Sequence, residues 1–324
     1  MENVDISKGF VDKPVPADID IVKEIKKLCK EKNAVIMGHF YQPAEIQDIS
    51  DYIGDSLALA QLAQKTTADI ILVCGVHFMG ETAKILCPEK KVLVPDLNAG
   101  CSLADSCQPE EFKKFIDEHP GHKVVSYVNT TAKVKALTDI CVTSSNAQKI
   151  IDQLPKDQKI IFGPDRNLGN YINSTSGRNM LLWDGACEVH EKFSLEKILD
   201  LKKQYPDAPV LAHPECKKHV LVVADYVGST KGIINYVNNS DKKKFIIATE
   251  SGVIHEMRKQ NPDKEFIPVP PDDSTCACNE CAYMRLTTLE KVYNALKYEQ
   301  PEILISEDVR AKAEKSIVTM LQMS

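Results

Sequence analysis

DYIGDS occupies residues 51–56 and DYVGST residues 225–230, 174 residues further on. That interval is twice 87, and halfway along it the surrounding landmarks occur a third time. Three segments place polar side chains two residues apart at the end of an apolar run: His39 and Tyr41, Tyr127 and Asn129, His213 and Glu215. Seventeen residues after the first member of each pair stands a hydroxyl, on Ser56, Ser144 and Thr230. Thirty-six residues after it another apolar run ends, at Gly75, Gly163 and Thr249. Each copy closes on a loop cysteine: Cys101 in LNAGCSLADSC, Cys187 in WDGACEVHE, Cys281 in CACNECAYM. Similarity at a fixed period is the mark of a repeated structural unit. Chance explains one such coincidence and not four in register.

Each copy alternates strand and helix patterns. Short runs rich in Val and Ile read as strands at 35–37, 69–74, 91–95, 123–128, 159–163, 208–212 and 244–249. Helical spacing fills 19–32, 56–66, 109–119 and 145–154. This alternation predicts parallel α/β units. The expected fold is therefore α/β, with three similar αβα domains about a pseudo-threefold axis. Their expected bounds are 1–105, 106–190 and 191–324, the last including the C-terminal helices. Parallel units present functional loops at the carboxyl ends of their strands. Three arranged in this way would aim their pairs, hydroxyls and cysteines at one central site.

The composition excludes several classes of protein. Of 324 residues, 43% are hydrophobic and 27% charged, which is a globular mix rather than a disordered one. Forty basic residues against 46 acidic give a net charge of −6, with no basic block, so neither nucleic acid nor an anionic membrane is expected as a partner. The first twenty residues lack a signal-peptide pattern, and no apolar run approaches the roughly 18 residues of a membrane span. The expected location is the cytoplasm. Eleven cysteines are an odd number, and a reducing compartment does not favour a disulfide framework. Cys29, Cys74 and Cys141 lie in apolar segments and read as core.

Three loop thiols, one per unit, suit an iron–sulfur cluster or zinc. Three ligands rather than four would leave a coordination position open for Lewis-acid catalysis. Cys107 competes with Cys101 for the first ligand position, but Cys101 follows a small-residue turn, as Cys187 does. Alternation puts both members of each strand-end pair on one side. His39, Tyr41, Tyr127, His213 and Glu215 then supply proton donors and acceptors to a single cavity. Ser56, Ser144 and Thr230 each open a predicted helix. Any one alone reads as an N-cap, whereas three beside acid–base pairs suggest sites for a multiply anionic substrate. No GxGxxG or Walker-type glycine loop is present to bind a dinucleotide or nucleoside triphosphate.

The motifs GHFYQPAEIQDISDYIGDSLALAQ, VCGVHFMGETAKIL, SYVNTTAKVKALTDICVTSSNA, HPEC, VGST and CAYMRLTTLEKV cover nearly the whole chain and resemble the bacterial quinolinate synthase family of de novo NAD biosynthesis. The resemblance implies three α/β domains and one 4Fe–4S cluster held by Cys101, Cys187 and Cys281, with one open iron. It further implies condensation of iminoaspartate with dihydroxyacetone phosphate, releasing phosphate and two waters, and transient contact with an oxidase that makes the imine. Carried over by motif, His39, Ser56, Tyr127, Asn129, Ser144, His213, Glu215 and Thr230 bind substrate. Glu215 with His213 is expected to shuttle protons, and Tyr127 with His39 to orient oxygens, with Tyr41 nearby. The third motif reads CxCxxC where many relatives have CxxCxxC. The following AYM keeps Cys281 as the ligand and leaves open whether Cys276 and Cys278 form a regulatory disulfide. Two alternatives are a diphthamide-synthase-like radical iron–sulfur enzyme, which would give the acid–base pairs no purpose, and a non-enzymatic iron–sulfur or zinc redox sensor.

Overall fold

A computed structural model of the chain describes residues 4–272 and 279–324 and contains three four-stranded sheets. The first sheet comprises β1 (Ala34–His39), β2 (Tyr52–Gly54), β3 (Ile70–Cys74) and β4 (Lys91–Leu93). The second comprises β5 (Lys123–Tyr127), β6 (Ile140–Val142), β7 (Ile160–Phe162) and β8 (Leu181–Leu182). The third comprises β9 (Val210–Ala212), β10 (Tyr226–Val227), β11 (Lys244–Ala248) and β12 (Glu265–Pro268). Every pairing is parallel. The strand order is β2-β1-β3-β4, β6-β5-β7-β8 and β10-β9-β11-β12, the same topology three times. The chain is thus α/β with three similar αβα units.

The central strands are continuous apolar runs because both faces of each sheet are covered by helices. In β3, Ile71 and Val73 pack into one core while Ile70, Leu72 and Cys74 pack into another. In the third unit Phe245 and Ile247 face one way, and Ile246 and Ala248 the other. The core that takes Ile71 also takes Val125 and Phe162, so the first two units share a core. The final helix, Glu307–Met323, inserts Ala313, Ile317 and Met320 into it. Among the described residues no helix is long and apolar enough to cross a membrane.

Five strands were not predicted by the sequence pattern: β2, β6, β8, β10 and β12. Each lies at a sheet edge and spans two to four residues, too short to establish a period of two.

An aspartate holds one edge strand of each sheet in register. Asp51, Asp139 and Asp225 directly precede β2, β6 and β10. Their carboxylates accept the backbone N–H of Ile36, Val124 and Val210, each at 2.8 Å. Their own N–H groups donate back to the carbonyls of the same three residues, at 3.0, 2.9 and 2.8 Å. The reciprocal bonds fix how far each first strand projects toward the site. Asp139→Ala is expected to lower stability by about 1–2 kcal/mol, the size of a lost hydrogen bond to a partly solvated charged group. Asp139→Asn keeps an acceptor oxygen and should lose less. Urea midpoints of the two variants check the order.

Candidate active site

The carboxyl ends of the strands from all three units open onto one cavity. Its wall contains all nine expected polar residues: His39, Tyr41, Ser56, Tyr127, Asn129, Ser144, His213, Glu215 and Thr230. Cys101, Cys187 and Cys281 line the same space. The other described cysteines named above lie elsewhere. Cys107 packs against Phe112 and Ile161, Cys29 and Cys74 belong to the core around Ile25, and Cys141 meets Ser316. Cys276 and Cys278 fall outside the described residues.

The pairs two residues apart have a specific internal geometry. The backbone N–H of Tyr41 donates to His39 Nδ1 at 3.1 Å, and that of Glu215 to His213 Nδ1 at 3.4 Å. An N–H can only donate, so both rings carry their proton on Nε2. Burial pulls His39 down to about 4 and His213 to about 3, in each case against the pull of Glu215, and both rings are neutral at pH 7. His213 Nε2–H reaches Ser144 Oγ at 3.2 Å. Each imidazole is thus a fixed donor.

Glu215 is the hub of the site. Tyr127 O–H donates to its Oε1 at 2.6 Å, and His190 Nδ1 lies 3.1 Å from its Oε2. Burial opposes the charged carboxylate, but His213, His190 and the Tyr127 hydrogen bond outweigh that and hold it at about 2. The network continues from His190 Nε2 to Thr249 Oγ1 at 3.1 Å. From Thr249 it reaches Tyr41 O–H at 2.9 Å, and Tyr41 meets Thr230 Oγ1 at 2.7 Å. His190 is a residue the sequence reading missed. It stacks on His213 with ring centroids 4.7 Å apart, and the spacing Cys187-x-x-His190, one helical turn, was the signal that could have found it.

The hydroxyl positions differ from expectation in one respect. Ser56 and Thr230 do open helices, Ser56–Lys65 and Thr230–Asn239, but the caps are the preceding Asp55 and Ser229. Ser144 opens no helix. It sits in a turn, and the helix Ala147–Gln153 begins three residues later. The helix is delayed because Asn146 Oδ1 reaches back to the Thr143 N–H at 2.7 Å and closes that turn. Since neighbours cap the two helices, the Ser56 and Thr230 hydroxyls face the cavity without serving as caps.

Two buried carboxylates that the sequence reading also missed secure the cysteine loops. Asp165 accepts the Cys187 N–H at 2.9 Å. Glu250 accepts the Cys281 N–H at 3.1 Å and a bond from Arg285 at 2.7 Å. Burial raises all three cavity thiols, Cys101 to about 12 and Cys187 and Cys281 also upward. Thiolates there need a bound cation to offset the loss of solvation, which is how ligand cysteines behave. Among the described residues, the one donor group whose ligand atoms all lie within 4.8 Å of one another is Cys187, His190 and Glu215. The three thiols share the cavity without forming so tight a group.

Comparison with known proteins places these residues in context. A family profile described as "Quinolinate synthetase A protein" matches residues 23–322. The quinolinate synthase of Synechocystis sp. is 58% identical over 305 residues, 94% of this chain and 96% of that protein. That of Chloroherpeton thalassium is 56% identical over 308 residues, 95% and 96% of the two chains. That of Microcystis aeruginosa is 56% identical over 305 residues, 94% and 95%.

Proposed function

The chain belongs to the quinolinate synthetase A family, and from that premise we propose that it is a quinolinate synthase of NAD biosynthesis. The reaction we infer condenses iminoaspartate with dihydroxyacetone phosphate and releases phosphate and two waters. One observation carries this reading: a single cavity receives a polar strand-end pair, a hydroxyl and a cysteine from each of three units.

The donor set fits a 4Fe–4S cluster on Cys101, Cys187 and Cys281. Soft thiolates select iron–sulfur clusters or zinc, and three thiols brought by three units to one cavity suit a polynuclear cluster that leaves one iron open. A single ion on Cys187, His190 and Glu215 is the competing arrangement, but there His190 Nδ1 would have to give up Glu215. When bound, the cluster supplies a Lewis acid through its open iron.

The remaining chemistry falls to side chains of this chain. The Nε2–H groups of His39 and His213 are neutral donors suited to carbonyl and carboxylate oxygens. Tyr127 O–H is polarised by the Glu215 anion. The same anion faces His190 Nδ1, the arrangement of a carboxylate–histidine pair, so His190 Nε2 rather than either fixed donor is the imidazole nitrogen placed to take a proton from substrate. Ser56, Ser144 and Thr230 hold the anionic groups. Nine described cysteines are all free thiols, which suits work in the cytoplasm.

Reconstituted protein incubated anaerobically with dihydroxyacetone phosphate and freshly generated iminoaspartate should form quinolinate. Its absence in protein with a full complement of iron and sulfide overturns the proposal. Thr230→Ala removes one hydroxyl from the substrate site and from Tyr41. It should raise KM by roughly 10- to 150-fold, the worth of a hydrogen bond to a charged group, with iron content unchanged.

A further inference from the structure

Lys135 has no role in the chemistry above, yet it is the one lysine or arginine among the described residues that is wholly buried, at 0% exposure. Burying an ammonium is unfavourable unless hydrogen bonds replace its water. Its Nζ donates to the carbonyl of Val128 at 2.8 Å and to the carbonyl of Thr130. These two carbonyls flank Asn129, which lines the cavity. On the same turn the Thr130 hydroxyl donates to the Tyr127 carbonyl at 2.9 Å, tying the turn to the end of β5. The ammonium also lies 5.3 Å from the ring centroid of Phe78, another cavity-wall residue. No carboxylate among the described residues is in ion-pair contact with it. Two carbonyls and a ring face are an unusual set of partners for a buried cation, and all three belong to the cavity wall or its support.

We propose that Lys135 is a positioning residue, clamping the 128–130 turn through the Val128 and Thr130 carbonyls so that Asn129 and Tyr127 face the substrate. This rests on the proposed function for the identity of the substrate, but not for the clamp. An apolar side chain of similar length at this position would fill the space and release both carbonyls.

The test compares wild type, Lys135→Met and, as a control on the same short helix, the exposed Lys133→Met. Dihydroxyacetone phosphate alone is titrated calorimetrically into each anaerobic protein, and amide exchange is followed over residues 127–131. Lys135→Met should weaken binding about tenfold or more, the size of lost charge-assisted bonds. It should accelerate exchange of the turn, while iron content and Lys133→Met stay at wild-type values. Because the clamp acts through Asn129, Lys135→Met should lose less in an Asn129→Ala background than in the wild type. Additive losses, or unchanged binding and exchange in a folded Lys135→Met, overturn the proposal. Should that variant not fold, the wild type still decides: turn amides exchanging as fast as an exposed loop overturn the clamp, and exchange as slow as β5 supports it. Wild type that neither binds dihydroxyacetone phosphate nor turns over defeats the functional reading, and the exchange measurement then judges Lys135 alone.

Discussion

Cys281→Ser, reconstituted with iron and sulfide under anaerobic conditions, is expected to lose its cluster and with it all detectable quinolinate formation. The cavity already opposes thiolate at this position. A serine hydroxyl ionises far less readily and is a harder donor, so it would hold an iron–sulfur centre weakly. The same loss is expected for Cys101→Ser and Cys187→Ser, whereas Cys107→Ser, buried beside Phe112, should keep both iron and activity. Iron and sulfide content measured with activity also separates the cluster from the tight group of Cys187, His190 and Glu215. A single ion held there would survive in the Cys281 variant and vanish in the Cys187 variant.

Glu215→Gln should leave the cluster assembled and slow quinolinate formation by roughly the 10²- to 10⁴-fold typical of lost acid–base catalysis. The amide keeps the shape and can still accept from Tyr127 O–H. It cannot carry the negative charge that the carboxylate sets beside His190 and His213. Its NH₂ also meets the His190 Nδ1–H where an acceptor stood at 3.1 Å, so the ring must change tautomer and disturb its bond to Thr249. The expected signature is a fall in kcat larger than any rise in KM, with wild-type iron. Full turnover in this variant would exclude Glu215 as an essential group and leave His213 or Tyr127 as the candidate.

The fold was legible because its unit occurs three times. A strand such as β9, with three residues, carries little periodic signal alone, yet its register with β1 and β5 identifies it. The five unread edge strands stayed hidden because two to four residues cannot express alternation, and because a carboxylate rather than a long ladder holds β2, β6 and β10 in place. In the site, residues at repeated positions could be found by counting, from His39 and Tyr41 to Thr230. His190 has no counterpart in the other copies, and Asp165 and Glu250, which do the same job in two of them, stand one residue out of register in the repeat. Their roles depend on contacts between segments far apart in sequence, as when Glu250 meets Arg285 thirty-five residues on. Ser144 shows the opposite failure. Its position in the repeat was right, but a local bond from Asn146 overrode the helix start that the repeat implied.

No unit owns the cavity, and this gives ligand concentration a hold on the whole molecule. A substrate that touches all three units binds only when they are docked, so occupancy works as a reversible clasp. A ligand at a hundred times its Kd adds about 2.7 kcal/mol to the docked arrangement, comparable to the loss from a damaging core substitution. The linkage runs both ways. A change that loosens the packing of the units far from the cavity, as under Ile317 in the final helix, would be felt first as weakened affinity while each sheet remained intact.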